Sequence, residues 1–115
     1  MYARDNVADA NELQKRLPRD NVIEAAAQVL SLLGDPTRLR LAAALLDGEQ
    51  DVSTLTGAVG AARPAVSQHL AKLRLAGLLV MRRDGRRAVY SLADTHVRRL
   101  VTEALHMAEH HRPNR

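Results

Sequence analysis

The 115-residue chain has no cysteine, no phenylalanine and no tryptophan, and only two tyrosines. Without cysteine there are no disulfides and no thiolate metal sites, and the redox compartment stays open. Without large aromatic side chains the core must be built from Ala, Leu and Val, which favours helices packed closely through small residues. A small core of that kind gains from dimerisation, which buries more surface. No stretch approaches the roughly 18 uninterrupted apolar residues of a membrane span. The opening segment MYARDNVADANELQKR carries charge throughout and lacks the apolar run of a signal peptide. One soluble, cytoplasmic domain is the expectation.

The charge that is present is unevenly placed. Residues 61–90 hold seven Lys/Arg against a single acid, Asp84, whereas residues 1–60 hold six basic and nine acidic residues. A basic block confined to one short stretch is the footprint of a surface that meets phosphate.

Periodicity and punctuation set the elements. Residues Asp5 to Leu17 read as a loose first helix ended by Pro18. Residues 1–18 are accordingly assigned to an N-terminal arm, 19–111 to the folded domain and 112–115 to a tail, with Pro113 ending regular structure. A second helix begins near Asp20, a candidate cap, and ends at Gly34. Its residues Val22, Ala26, Val29 and Leu33 recur at a spacing suited to packing against another helix. Asp35-Pro36 opens a third helix, which Gly48 ends and which buries Leu39, Ala42, Ala43 and Leu46. Val52 to Val59 forms a short helix opened by Asp51 or Ser53. After the turn Gly60-Ala61-Ala62, a helix carrying Pro64 in its first turn runs to Ala76 and stops at Gly77. Leu78 to Arg82 and Arg87 to Leu92 read as strands around the hairpin signal Asp84-Gly85. Asp94 caps a final helix to about His110, with Val97, Leu100, Ala104 and Met107 as an apolar seam.

A short helix, a tight turn, a second helix and a basic hairpin predict a mainly α fold with a small β-hairpin, a winged helix-turn-helix. In the helix after the turn, Val66, Leu70, Leu73 and Gly77 share the inward face at about 100° per residue. Ser67 and Gln68 then point outward in its N-terminal half, where base edges are read. Arg63, Lys72 and Arg74 read as phosphate contacts, and so do Arg82, Arg83, Arg86 and Arg87 at the wing tip. His69 falls beside the apolar face and is expected to pack there or to bond to backbone.

The segments GDPTRLRLAAAL, AVSQHLAKLRLAGLLVMRRDGRRAVYSL and DTHVRRLV resemble the ArsR/SmtB family of bacterial winged-helix repressors, over roughly residues 20–111. The resemblance implies a homodimer, joined through the second and last helices, that binds double-stranded operator DNA at an inverted repeat and is released by an effector. Where the family's thiolate sensors carry an ELCVCDL-type segment, this chain has GEQDVSTLTGAVG, with no Cys. Arsenite, cadmium or lead sensing of that type is excluded.

The last helix holds His96, His106 and His110, with His111 just after it. His96 and His110 are 14 residues apart, roughly 21 Å along one helix, yet within about 40° of the same face. One chain cannot bring them to one ion. An antiparallel pair of these helices across a two-fold axis can, placing Asp94 and His96 of one copy by His110 of the other. The pattern resembles the family's interfacial zinc and nickel/cobalt sites, matching at Asp94, His96 and His110 but not at Met107. HVRRLVTEALHMAEH is most similar to the nickel/cobalt-sensing, KmtR/NmtR-type members, a resemblance that adds Glu109 as a ligand. His106 and His111 complete the candidate set. Nickel or cobalt is favoured as effector, with zinc as an alternative. A family member that senses no metal is the competing reading. An enzyme is not expected, since no Gly-rich phosphate loop and no Ser/His/acid set is placed by the pattern.

Overall fold

The computed structural model describes residues 9–111. The beginning of the expected first helix, before Asp9, and the tail 112–115 lie outside the described residues. The elements are α1 (Ala10–Arg16), α2 (Asp20–Leu33), α3 (Pro36–Ala44), β1 (Gln50–Asp51), α4 (Val52–Val59), α5 (Arg63–Leu75), β2 (Leu79–Asp84), β3 (Arg87–Leu92) and α6 (Thr95–His110). The expected winged helix-turn-helix is present as α4, α5 and the β2–β3 hairpin.

Aspartates open four of the helices. Asp9, Asp35, Asp51 and Asp94 accept hydrogen bonds from the backbone N–H groups of Glu12, Arg38, Thr54 and Val97 at 2.8–3.0 Å. Each satisfies one of the N–H groups that the first turn leaves free. Asp51, not Ser53, therefore opens α4. Asp20 is not a cap: it is the first residue of α2, Arg19 holds the cap position without a side-chain bond, and the carboxylate faces the positive end of the helix dipole.

Gly60 ends α4 in the left-handed region at φ 69°, a conformation that costs other residues a steric penalty. In the hairpin, Asp84 pairs with Arg87 across a two-residue loop, Gly85-Arg86. Gly85 has φ 62° and Arg86 a negative φ, which fits a turn whose twist matches the flanking strands. Pairing thus extends two residues further toward the tip than the sequence pattern suggests, and it begins at Leu79 instead of Leu78.

A third strand, β1, is absent from the sequence reading. It pairs antiparallel with β3, Gln50 with Tyr90 and Asp51 with Val89, giving the order β1-β3-β2. Two residues are too few to show strand alternation. Helix α3 ends at Ala44, four residues before Gly48. Its buried residues are Leu41 and Ala42, followed by Leu45, while Leu39, Ala43 and Leu46 are only half-buried.

The core centres on α5, which lies against α3, α4 and β2. Leu41, Leu45, Leu55, Val66, Leu70, Leu73 and Val101 are fully buried within it. Helix α6 adds Val97 and Val101 against α3 and β3. Truncating a side chain here leaves a cavity that helices held from several sides cannot close. Leu70→Ala should lower the unfolding free energy by about 2–5 kcal/mol. Asp35→Ala, which removes only a cap, should cost about 1 kcal/mol. Urea unfolding at fixed protein concentration measures both.

Candidate functional site

Helix α5 has one buried face, and everything else on it follows from that. With Val66, Leu70 and Leu73 inward, Pro64, Ser67, Gln68, Ala71 and Lys72 are exposed, as the helical phase requires. Arg63 and Arg74 are exposed as well. The N-terminus of α5 has no side-chain cap. Beside it, the Arg63 guanidinium donates to Ser53 Oγ at 2.9 Å, tying α5 to the start of α4. His69 is half-buried beside the apolar face, but its partner is a side chain: Nδ1 lies 3.1 Å from an Nη of Arg38.

The four wing arginines are not equivalent. Arg82 makes a two-pronged contact with Glu49, Nε to Oε2 at 3.1 Å and Nη2 to Oε1 at 2.5 Å. Arg87 bridges Asp84 at 2.8 Å and Asp51 at 3.2 Å. Arg83 and Arg86 have no carboxylate partner among the described residues. Arg63, Arg83, Arg86 and Arg87 line an open cleft of about 320 Å³ with Asp51 and Ser53. The hydrogen bond from Arg82 holds the Glu49 carboxyl below its ordinary range, and that from Arg87 does the same for Asp84. Asp51 is lowered first by the Thr54 N–H it caps, then by the Thr54 hydroxyl, and less by Arg87. Sequence reasoning missed Glu49, Asp51 and Ser53 as neighbours of the wing. The only trace was the acidic stretch GEQD ahead of α4, and nothing local connects it to a hairpin some 35 residues later.

In α6 the same logic separates two sets of side chains. Val97 and Val101 are buried, with Leu100 and Leu105 half-buried. His96, Glu103, Met107 and His110 form an exposed stripe, the last three each within about 40° of the direction of His96. Asp94 caps the helix through Oδ1, bonded to the Val97 N–H at 3.0 Å. His106 and Glu109 line an open cleft with Leu46, Thr102 and Leu105, on a different side from that stripe. His111 takes the C-cap position. Asp94 and His96 thus lie at one end of α6, and His106, Glu109, His110 and His111 at the other. Among the described residues of one chain, no three His, Asp or Glu side chains gather into a metal centre.

The two seams read as dimer contacts are partly internal. Leu33 and Val97 belong to the chain's own core, because α3 and β3 cover them. The outward apolar side chains are Val22, Ile23 and Leu30 on α2 and Met107 on α6. Leu30, Leu33, Leu39, Leu100, Val101 and Ala104 line a shallow apolar cleft joining the two helices.

This arrangement defines a winged helix-turn-helix with an exposed basic face. A family model described as "Bacterial regulatory protein, arsR family" matches residues 35–80. The chain is 45% identical over 97 residues to the HTH-type transcriptional regulator KmtR of Mycobacterium tuberculosis, a match spanning 84% of this chain and 74% of that protein. It is 46% identical over 90 residues to NmtR of the same organism, spanning 76% and 75%. The homodimeric winged helix-turn-helix DNA-binding domain of Mb0332 from Mycobacterium bovis superposes with a TM-score of 0.75 at 27% identity, covering 86% of this chain and 94% of that one. The chain belongs to the ArsR family of bacterial regulatory proteins. It is a transcriptional regulator and not an enzyme.

The depressed carboxyls give the wing a defined acid limit. A carboxyl whose folded pKa is lowered contributes stability above its ordinary value, and that contribution is lost as pH falls through the lowered one. The contacts of Glu49, Asp51 and Asp84 should therefore persist at neutral pH and loosen below about pH 4. Side-chain NMR of Arg82 and Arg87 between pH 6 and 3 should show freer rotation of the guanidinium groups at the acid end, and Glu49→Gln should show it for Arg82 at every pH.

Proposed function

We propose that the chain is a cytoplasmic, homodimeric repressor that binds double-stranded operator DNA and is released when nickel or cobalt, or alternatively zinc, binds between the α6 helices of the two copies. The observation that carries the DNA half is the outward face of α5 beside a wing on which Arg83 and Arg86 have no carboxylate partner among the described residues. Gln68 can bond adenine at two positions, and Ser67 can serve several bases. Arg63, Lys72, Arg74, Arg83 and Arg86 would meet phosphates. Arg82 and Arg87, already paired, orient the wing and add charge to it. No helix among the described residues is long and apolar enough to cross a membrane, which fits work on cytoplasmic DNA. Pairing of two copies is supported by the exposed Val22, Ile23 and Leu30 and by the apolar cleft running from α2 to α6.

The metal half rests on the stripe of His96 and His110 along one face of an unbroken helix. His96 with Asp94 from one copy, and His110 with Glu109, His106 or His111 from the other, would hold the ion. This set offers imidazole and carboxylate but no thiolate, which suits nickel and cobalt. Bound there, the ion would supply a cross-link between the two α6 helices. Asp94 then has two duties: its Oδ1 caps α6, leaving Oδ2 to reach across. Met107, 55% exposed in the same stripe, favours the competing reading of a regulator that senses no metal.

One experiment separates these readings, and a second tests the DNA contacts they share. With a duplex selected in vitro for tight binding, Ni²⁺ or Co²⁺ should lower the affinity of the native chain by about tenfold or more. His96→Ala should keep the metal-free affinity and lose the response. Unchanged affinity with Ni²⁺, Co²⁺ and Zn²⁺ alike would establish the metal-insensitive reading. Separately, Arg83→Ala or Arg86→Ala should each reduce the slope of log affinity against log salt by about one per copy. Arg82→Ala should weaken binding with a smaller change of slope.

A further inference from the structure

Helix α2 and the reading helix α5 are held apart for part of their length. An open cleft of about 450 Å³ lies between them, lined by Ala25, Gln28, Val29 and Leu32 on one side and Lys72 and Leu75 on the other. Beside that gap, one side chain of α3 reaches both helices. Arg38 donates from Nε to the carbonyl oxygen of Leu32, in the last turn of α2, at 2.6 Å. From Nη1 it meets His69 Nδ1, on α5, at 3.1 Å. Its own backbone N–H is held by the Asp35 carboxylate at 3.0 Å.

The chemistry of the contact fixes its direction. A guanidinium carries donors only, so His69 Nδ1 must accept, which places the ring proton on Nε2. The planar fork gives the bridge a set geometry that a lysine ammonium would not reproduce. The Leu32 carbonyl, among the last four of α2, lacks an intrahelical partner by construction and is satisfied here from α3. His69 follows directly after Gln68 on α5, so a shift at His69 displaces the residues that face DNA.

We propose that Arg38 and His69 are positioning residues: Arg38 clamps the reading helix to the end of α2, so that the orientation of Ser67 and Gln68 follows that of the helix the two copies share. The inference rests on the DNA-reading role given to α5. Neither side chain is assigned a base or phosphate contact. Their loss should therefore weaken recognition of the preferred sequence without altering how many phosphates are met.

The test is a double-mutant cycle on full-length protein. Affinity for a selected duplex and for an unrelated one is measured over a range of salt, with the urea unfolding midpoint of every variant. Arg38→Ala and His69→Leu should each lower affinity for the selected duplex by about fivefold to tenfold. Affinity for the unrelated duplex and both salt slopes should stay unchanged, and the double variant should be no worse than either single one. His69→Gln, whose side-chain oxygen can accept from Arg38, should return to within about twofold of the native chain. Where Arg38→Ala fails to fold, the comparison of His69→Leu with His69→Gln decides alone. Additive losses, equal losses on both duplexes, or a His69→Gln no better than His69→Leu at matched stability would overturn the clamp. If the native chain itself fails to distinguish the two duplexes, it is the DNA-reading role that falls.

Discussion

The structure depends on the burial of a single stripe on α5. Val66, Leu70 and Leu73 have no exposed surface, and they are enclosed by α3, α4 and β2 together. A helix that turns one face inward has no freedom left in its rotation, so Ser67, Gln68 and Lys72 must face outward. Helix α5 also lies against β2, which ties the position of the wing to that of the outward face. With no Phe or Trp to fill space, this packing uses branched aliphatic side chains at close range, and small changes of volume are felt directly.

Electrostatics then refines what packing has placed. The wing is rich in arginine, but half of its tip arginines are held by acids of the segment around β1. Exposed ion pairs of this kind add little to stability. Their effect is geometric: Glu49 and Asp51 sit on the strand and turn beside β3, so pairing with them holds the hairpin at one angle. Arg83 and Arg86 have no carboxylate partner among the described residues, so their charge is not neutralised by an ion pair there. An acidic stretch preceding a basic wing therefore organises that wing without cancelling it.

Much of this was legible in the chain itself. Asp35-Pro36 and Gly60 mark a helix start and a helix end through local conformational preference, and Asp84-Gly85 marks the hairpin, whose loop lies one residue further on at Gly85-Arg86. The outward face of α5 followed from phase alone. What escaped was non-local. Strand β1 is too short to show a pattern and exists only because β3 offers it an edge. The pairing of Arg82 with Glu49, and of Arg38 with His69, joins residues more than 30 apart in sequence. Leu33 and Val97 fit an outer seam by spacing, but spacing cannot tell a partner helix from the chain's own α3 and β3.

Helix α6 shows what a single chain leaves open. Burial of Val97 and Val101 turns His96 and His110 to one exposed side, about four helical turns apart. The claim that these residues serve one site therefore requires two chains, and mixing defective chains tests it most directly. His96→Ala and His110→Ala, each alone, should lose tight Ni²⁺ or Co²⁺ binding. Mixed dimers of the two should regain one intact site, built from His96 of one chain and His110 of the other, while their second site carries both defects. Tight binding restored to the level of one ion per mixed dimer is the predicted result. Mixed dimers that bind no better than either parent would contradict a site shared between the two α6 helices.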